Sequence, residues 1–235
     1  MQENTTAPTI TVYPGVISSY KNGWKQLWRN SGVIVLAWII MMVIAFSLSF
    51  IIVLFVPQGW IYWIFSFGFG IFVSGPINFG FSYIILNAAR DFNVATGDIF
   101  ESFDGYWNVV LANILLYIYF SIPAIISQVV NIYVPEFETV INLVVYILFI
   151  AIGCKLAFIP FLVVDRKMKA IDSVKTSWKM TNRYEWKIIL IFLLGIPIVI
   201  AGLVCLIVGI IPATFWICMA LASLYHAIEQ RETKT

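Results

Sequence analysis

Long apolar runs alternate with short polar breaks along this chain. A helix needs about 20 apolar residues to cross the hydrocarbon core of a bilayer, and six runs reach that length. The first covers about Gly32 to Val56 and stops at the tight turn Pro57-Gln58-Gly59. The second covers about Trp60 to Ala89 and contains Gly75-Pro76, and the third covers about Val109 to Ile132. The fourth covers about Phe137 to Val164, with Pro160 near its end. The last block, Ile188 to Ile228, is too long for one span and divides near Gly209–Pro212 into a fifth and a sixth. Pro76, Pro123, Pro160 and Pro197 are expected to kink their helices, which neighbouring spans tolerate.

The stretch Asp165 to Trp186 is a long, strongly charged run between two apolar blocks. Arg166, Lys167, Lys169, Lys175, Lys179, Arg183 and Lys187 lie in it or just after it. Met168, Ile171, Val174 and Trp178 recur every three to four positions, the spacing of one helix face. A basic amphipathic helix between spans is expected to lie in the inner headgroup layer. Lys167, Lys169, Lys175, Lys179 and Arg183 are the expected contacts to lipid phosphates.

The polar breaks also repeat. Trp28, Trp107 and Trp186 recur every 79 residues, and each begins a span. Eight residues before each lies another apolar anchor, Tyr20, Ile99 and Trp178. Self-similarity at a fixed period points to a repeat architecture. The expected unit is an amphipathic helix followed by a two-span hairpin, occupying about 13–91, 92–164 and 165–228. In the first, Val16, Ile17, Tyr20, Trp24, Leu27 and Trp28 share a face. In the second, Asp98 and Glu101 suit a capping box at a helix start. The units point the same way, so a pseudo-threefold axis along the membrane normal is expected rather than an inverted repeat.

The composition, 61% hydrophobic and 11% charged, is that of an integral membrane protein. The net charge of +2 is too small to suggest nucleic acid. Of the fourteen Lys and Arg residues, thirteen fall on one side of the six spans and only Lys155 lies within one. Positive residues collect in the cytoplasm, so both termini are expected there, with the protein in the cell (inner) membrane. Residues 1–12 read as a disordered cytosolic tail, residues 13–228 as a single six-span domain, and 229–235 as a second tail. Trp60, Tyr62 and Trp63 on one side, and Trp24, Trp28, Tyr106, Trp107, Tyr184 and Trp186 on the other, suit the aromatic belts of a bilayer. Cys154, Cys205 and Cys218 lie in apolar runs and read as small packing residues.

Asp165 with Lys169-Ala170-Ile171 and Ser173 to Trp178, followed by Lys179-Met180-Thr181, resembles a recurring signature. It reads approximately D, a few residues, then A-L-K-x-S-W-x-L-T-K-G. It occurs in multi-pass proteins related to the membrane domain of some bacterial glycerophosphodiester phosphodiesterases, and in stand-alone relatives. Here Asn182-Arg183 replaces the closing K-G. The resemblance implies a multi-pass inner-membrane protein and no established chemistry. The phosphodiesterase catalytic domain has no counterpart in this sequence.

Few residues suggest a site. Lys155 is the sharpest, because an ionisable group inside a span is a functional hypothesis by default. It is expected either to snorkel to headgroup phosphates or to serve a transport path. Ser66, Gly70, Ser74, Asn78 and Ser82 form a stripe at helical spacing, suited to close helix packing or to a polar cavity wall. Asn87, Asn113, Ser121, Ser127, Gln128 and Asn142 add polar groups to the spans. His226 is the only histidine and reads as interfacial. Asp91, Asp98, Glu101 and Asp104 crowd one loop, either paired with the basic helix or solvated. No catalytic, nucleotide-binding or metal motif is visible, so no cofactor is expected. The preferred expectation is a non-enzymatic lipid-binding protein, scaffold or accessory subunit at the cytoplasmic leaflet, with membrane lipids, and the protein subunits of a membrane complex, as candidate partners. The alternative is a small transporter or channel, whose path along the axis would need Lys155 and the Asn78 stripe to share a wet cavity.

Overall fold

Each long apolar run is helical, because a bilayer leaves no solvent for backbone groups and each must bond within its own segment. A computed structural model describes residues 13–133, 135–204 and 209–232. Among them all regular structure is helical. The order is α1 (Val16–Arg29), α2 (Ser31–Phe55), α3 (Trp60–Phe69), a π-helical stretch Gly70–Ser74 and α4 (Gly75–Ala89). A 3₁₀ segment, Thr96–Phe103, precedes α5 (Tyr106–Tyr133). Then come a short 3₁₀ turn (Pro135–Phe137), α6 (Glu138–Leu156), α7 (Ile159–Val164), α8 (Ala170–Asn182), α9 (Glu185–Val204) and α10 (Ile210–Glu232). Six helices, Ser31–Phe55, Trp60–Ala89, Tyr106–Tyr133, Glu138–Val164, Glu185–Val204 and Ile210–Glu232, are long and apolar enough to cross a membrane. The expected tail at 1–12, Cys205 and Lys234 lie outside the described residues.

Burial is concentrated at one end. Call it the basic end, since α1, the 3₁₀ segment and α8 lie there; the other is the hairpin end. Only Ile34 and Ala37 of α2 are buried, and no residue of α3 is. By contrast, Ile84 to Ala89, Ile159 and Phe161 to Val164, and Ala222 to Ile228 are buried. The core is thus the junction of α4, α7 and α10, filled by Leu86, Phe158, Leu162 and Tyr225 among others. Tyr225 lies edge-on to Phe158, with centroids 5.3 Å apart, and beside Phe161 at 5.1 Å.

The three peripheral segments pack around this core in turn. α1 lies on α10, the 3₁₀ segment on α4, and α8 on α7, α6 and α5. Glycines permit two of these approaches. A Cβ at Gly23 would lie 3.0 Å from the Ala220 nitrogen, and a Cβ at Gly80 would overlap the Ile99 carbonyl. Gly80 is 21 residues beyond Gly59, about 32 Å at about 1.5 Å per residue. The 3₁₀ segment therefore docks near the far edge of a core about 30 Å thick. α4 continues about 14 Å past it at the same rise.

Several expectations need correction. In α8 the packed face is Ala170, Ser173, Val174, Ser177 and Thr181, with Met180 also buried, whereas Ile171 is 56% and Trp178 43% exposed. The periodic apolar stripe is there, but small residues allow the closer approach to protein, leaving the bulky ones outside. The same split occurs in α1: Tyr20 and Leu27 are buried, while Ile17, Trp24 and Trp28 are exposed. Of the three expected anchors, Tyr20 and Ile99 are buried and Trp178 is not. Asp98 does not begin an α-helix. It sits within the 3₁₀ segment and its carboxylate accepts from the Ala95 N–H at 2.9 Å. Pro160 stands not at a kink within a helix but just after a full break, at the second position of α7. Finally, 229–232 is not tail but the last turn of α10.

Candidate functional site

The second, fourth and sixth spans each carry an ionisable residue at or just past their basic end: Arg90 after α4, Asp165 after α7 and Glu229 in the last turn of α10. The fold brings the three together. Arg90 donates to both oxygens of Asp165, at 2.5 and 2.8 Å, and to Glu229 at 2.5 Å. Such a forked guanidinium–carboxylate pair is among the stronger protein hydrogen bonds. Arg90 is only 8% exposed. Burial alone would lower its pKa, but Asp165, then Glu229, overcome this and raise it, so the guanidinium stays charged.

A second layer surrounds the triad. Arg166 donates to Glu229 at 3.2 Å and lies over the Tyr225 ring. His226 Nδ1 is 3.7 Å from Glu229 Oε2, and its Nε2 is 2.9 Å from the Gln230 amide nitrogen. The His226 expected as an isolated interfacial residue therefore belongs to a charged cluster. α1 ties into the same region: Asn22 donates to the Ala89 carbonyl at 3.0 Å and to Ser223 Oγ at 2.9 Å, and Arg29 pairs with Asp91. This arrangement balances buried charge and joins three helix ends. Among the described residues there is no group of His, Cys, Asp and Glu that could hold a metal ion.

Lys155 has an acidic partner after all. It pairs with Glu185 in the first turn of α9, donates to Asn182 Oδ1, and lies 5.4 Å from the centroid of the Trp178 ring. The partner comes from the first residue of the following span, just outside the apolar block Ile188 to Ile228. Ser177 of α8 donates to the Lys155 carbonyl at 2.7 Å, where α6 is about to break and the helical partner is lost.

The polar span residues do not converge. Asn78 is exposed and donates to Ser74 O of its own helix at 2.8 Å, and Ser82 bonds back to Asn78 O at 2.9 Å. The stripe is thus satisfied locally, as short polar side chains often are in helices. Asn87 is buried in the last turns of α4, and Gln128 is exposed on α5. Asn113 crosses between spans, donating to Gly70 O and Ile71 O, each at 3.2 Å, and Ser127 of α5 donates to Asn142 Oδ1 of α6 at 3.0 Å. Lys155 and Asn78 share no partner.

Asn108 was not foreseen. Its carbonyl accepts from the Ala170 N–H at 2.8 Å while its amide donates to Met168 O, so it caps α8 from the start of α5. Along α8, Lys169, Lys175, Lys179 and Arg183 are exposed. Lys167 reaches Asp104 at 3.5 Å, with both side chains largely solvated. Asp104 is therefore the one member of the acidic loop that pairs with the basic stretch among the described residues.

Six apolar spans and a charged end support a multi-pass membrane protein. No family model, curated protein or solved structure matches the chain.

Proposed function

We propose that this is a non-enzymatic membrane protein that binds anionic lipid headgroups at the cytoplasmic leaflet and acts there as a scaffold or accessory subunit. The observation that carries this reading is α8. Its small-residue face is docked on protein, Ile171 and Trp178 are exposed on one flank, and Lys169, Lys175, Lys179 and Arg183 are exposed around the rest. Apolar side chains beside cations suit the boundary between acyl chains and phosphates. The other peripheral segments expose comparable apolar ridges, Ile17, Trp24 and Trp28 in one and Phe100 and Phe103 in the other, the latter followed by Trp107 at the start of α5. Each basic residue near an anionic surface gains about 1 kcal/mol.

The expected result is direct. In mass spectrometry of the intact detergent-purified protein, an anionic phosphatidylglycerol should be retained over zwitterionic phosphatidylcholine. Changing Lys167, Lys169, Lys175 and Lys179 together to Gln should lower that anionic affinity at least tenfold and leave the zwitterionic affinity alone. Equal retention of both lipids before and after the change would sink the reading.

In this reading the basic end is cytoplasmic, following the side on which Lys and Arg collect. A lone cysteine at Gln58, with Cys154, Cys205 and Cys218 removed, should be labelled in intact cells by an impermeant maleimide. Protection there, with labelling only after lysis, would reverse the orientation.

The reading also includes a threefold repeat of peripheral helix and hairpin. It is supported by the cyclic pattern in which α1, the 3₁₀ segment and α8 each pack on the second span of the preceding unit. In turn α9, α2 and α5 pack on them. The charges Arg90, Asp165 and Glu229 stand at or just past the end of each unit, and the exposed Trp28, Trp107 and Trp186 recur once per unit. The likeness to the membrane domain of glycerophosphodiester phosphodiesterases belongs to the same proposal. A solute path along the axis is disfavoured by the dry packing of Leu86, Phe158, Leu162 and Tyr225 at the junction of the second spans.

A further inference from the structure

The second span is broken in register at mid-height. Across Gly70–Ser74 the backbone is π-helical, and the Gly75 N–H bonds to Gly70 O. In that register the donor due to Ile71 O is Pro76; in the α register Pro76 would serve Phe72 O. Proline has no N–H, so neither register satisfies both carbonyls. The missing donors come from α5. The Asn113 amide donates to Gly70 O and Ile71 O at 3.2 Å, and the Tyr106 hydroxyl to Phe72 O at 2.8 Å. Gly75 has no room for a Cβ because the Asn113 amide occupies its place.

Beyond this point α3 is weakly held. None of its residues is buried. Its aromatic contact to α5 is Phe67 with Tyr117, centroids 5.4 Å apart. Apolar clefts of about 420 and 460 Å³ meet at Gly68, the first between α3 and α2. A Cβ at Gly68 would touch nothing within 4 Å. π-helical turns inside helices are frequent at functional sites, and helices kink at such turns and where side chains enter the backbone ladder.

We propose that Gly70–Pro76 is a joint, that Asn113 and Tyr106 are its latch, and that α3 is an arm that swings from α5 to open the first hairpin sideways to the bilayer. The fixed half is α4, buried at the junction and clasped by the 3₁₀ segment at Gly80. The moving half carries the apolar clefts. Between them stand three hydrogen bonds from two side chains of a different hairpin. Loss of those bonds leaves carbonyls at membrane depth that bending can re-satisfy only by rearranging the turn.

The test uses the full chain in lipid nanodiscs, with Cys154, Cys205 and Cys218 changed to Ala. Spin labels are placed at Ile64→Cys on α3 and Ile125→Cys on α5, both exposed positions. Pulsed electron resonance should give one main distance in this parent. Asn113→Ala combined with Tyr106→Phe should add a second, longer distance. Adding Pro76→Ala, which returns a backbone donor, should restore the single one. A distance distribution that the double change leaves as it was, in protein that melts like the parent, overturns the proposal. Should the double variant not fold, Tyr106→Phe alone removes one exposed hydroxyl and must still broaden the distribution; an unaltered one overturns the proposal equally.

Discussion

Replacing Arg90 by methionine is expected to destabilise the protein by about 3–5 kcal/mol, because it leaves Asp165 without its cation and Glu229 to Arg166 at 3.2 Å. Asp165 and Glu229 are held by Arg90 at 2.5–2.8 Å, with Arg90 itself nearly excluded from solvent. Lysine at position 90 should recover only part of the loss. A point charge on a flexible stem cannot give two parallel bonds to Asp165 and a third to Glu229. Glu229→Gln should cost less than Arg90→Met, since Arg90 keeps its fork to Asp165. Unfolding of the detergent-solubilised protein, followed by tryptophan fluorescence, measures all three. A loss of under about 1 kcal/mol for Arg90→Met, the size of a solvent-exposed pair, would mean that the triad does not hold the spans together.

The second large effect concerns Gly80. An alanine there puts a methyl group onto the Ile99 carbonyl, so the 3₁₀ segment must move off α4. Overpacking of this kind costs about 1–3 kcal/mol. The upper end applies here because the obstacle is backbone rather than a rotatable side chain. Leucine at 80 should detach the segment and expose Ile99 and Ser102, both now buried. The control is Gly97→Ala in the same segment, where nothing lies within 4 Å of the new Cβ. That change should stay within about 0.5 kcal/mol, as surface substitutions usually do. Comparable losses for Gly80→Ala and Gly97→Ala would show that the close approach at Gly80 is not what seats the segment.

The spans and their bounds were legible because each is a local property of its own run. α2 begins at Ser31 and ends at Phe55, one residue from the reading at each end. The break before α10 follows from the excess length of the last apolar block. Side-chain direction was less legible. Periodicity places Ile171, Val174 and Trp178 near one another on α8, but it does not say whether lipid or protein meets them. Between water, lipid and protein a peripheral helix has three environments, and a two-class pattern of polar and apolar cannot separate them. The cue was the Ala170, Ser173, Ser177 series, small residues at the spacing of a contact face.

The site was legible only in fragments. Arg90, Asp165 and Glu229 each stand where an apolar run ends, a place where any charge is ordinary. Their separation of 75 and 64 residues hides the pairing. Lys155 stands out as a charge within a span, whereas its partner Glu185 is one of many charges in the run Asp165 to Trp186. Asn113 looked like one polar residue among several, and its task depends on carbonyls freed by Pro76 on another helix.

By itself the sequence determined that this chain forms six apolar helices with its positive charge gathered at one end. Both follow from run length and from the cost of moving charge across hydrocarbon, quantities that each segment carries alone. Only the tertiary structure decided which charges neutralise one another and which carbonyls borrow a donor from a neighbour. Those outcomes depend on where three separate helix ends converge, and convergence is a property of packing between segments that no single segment contains.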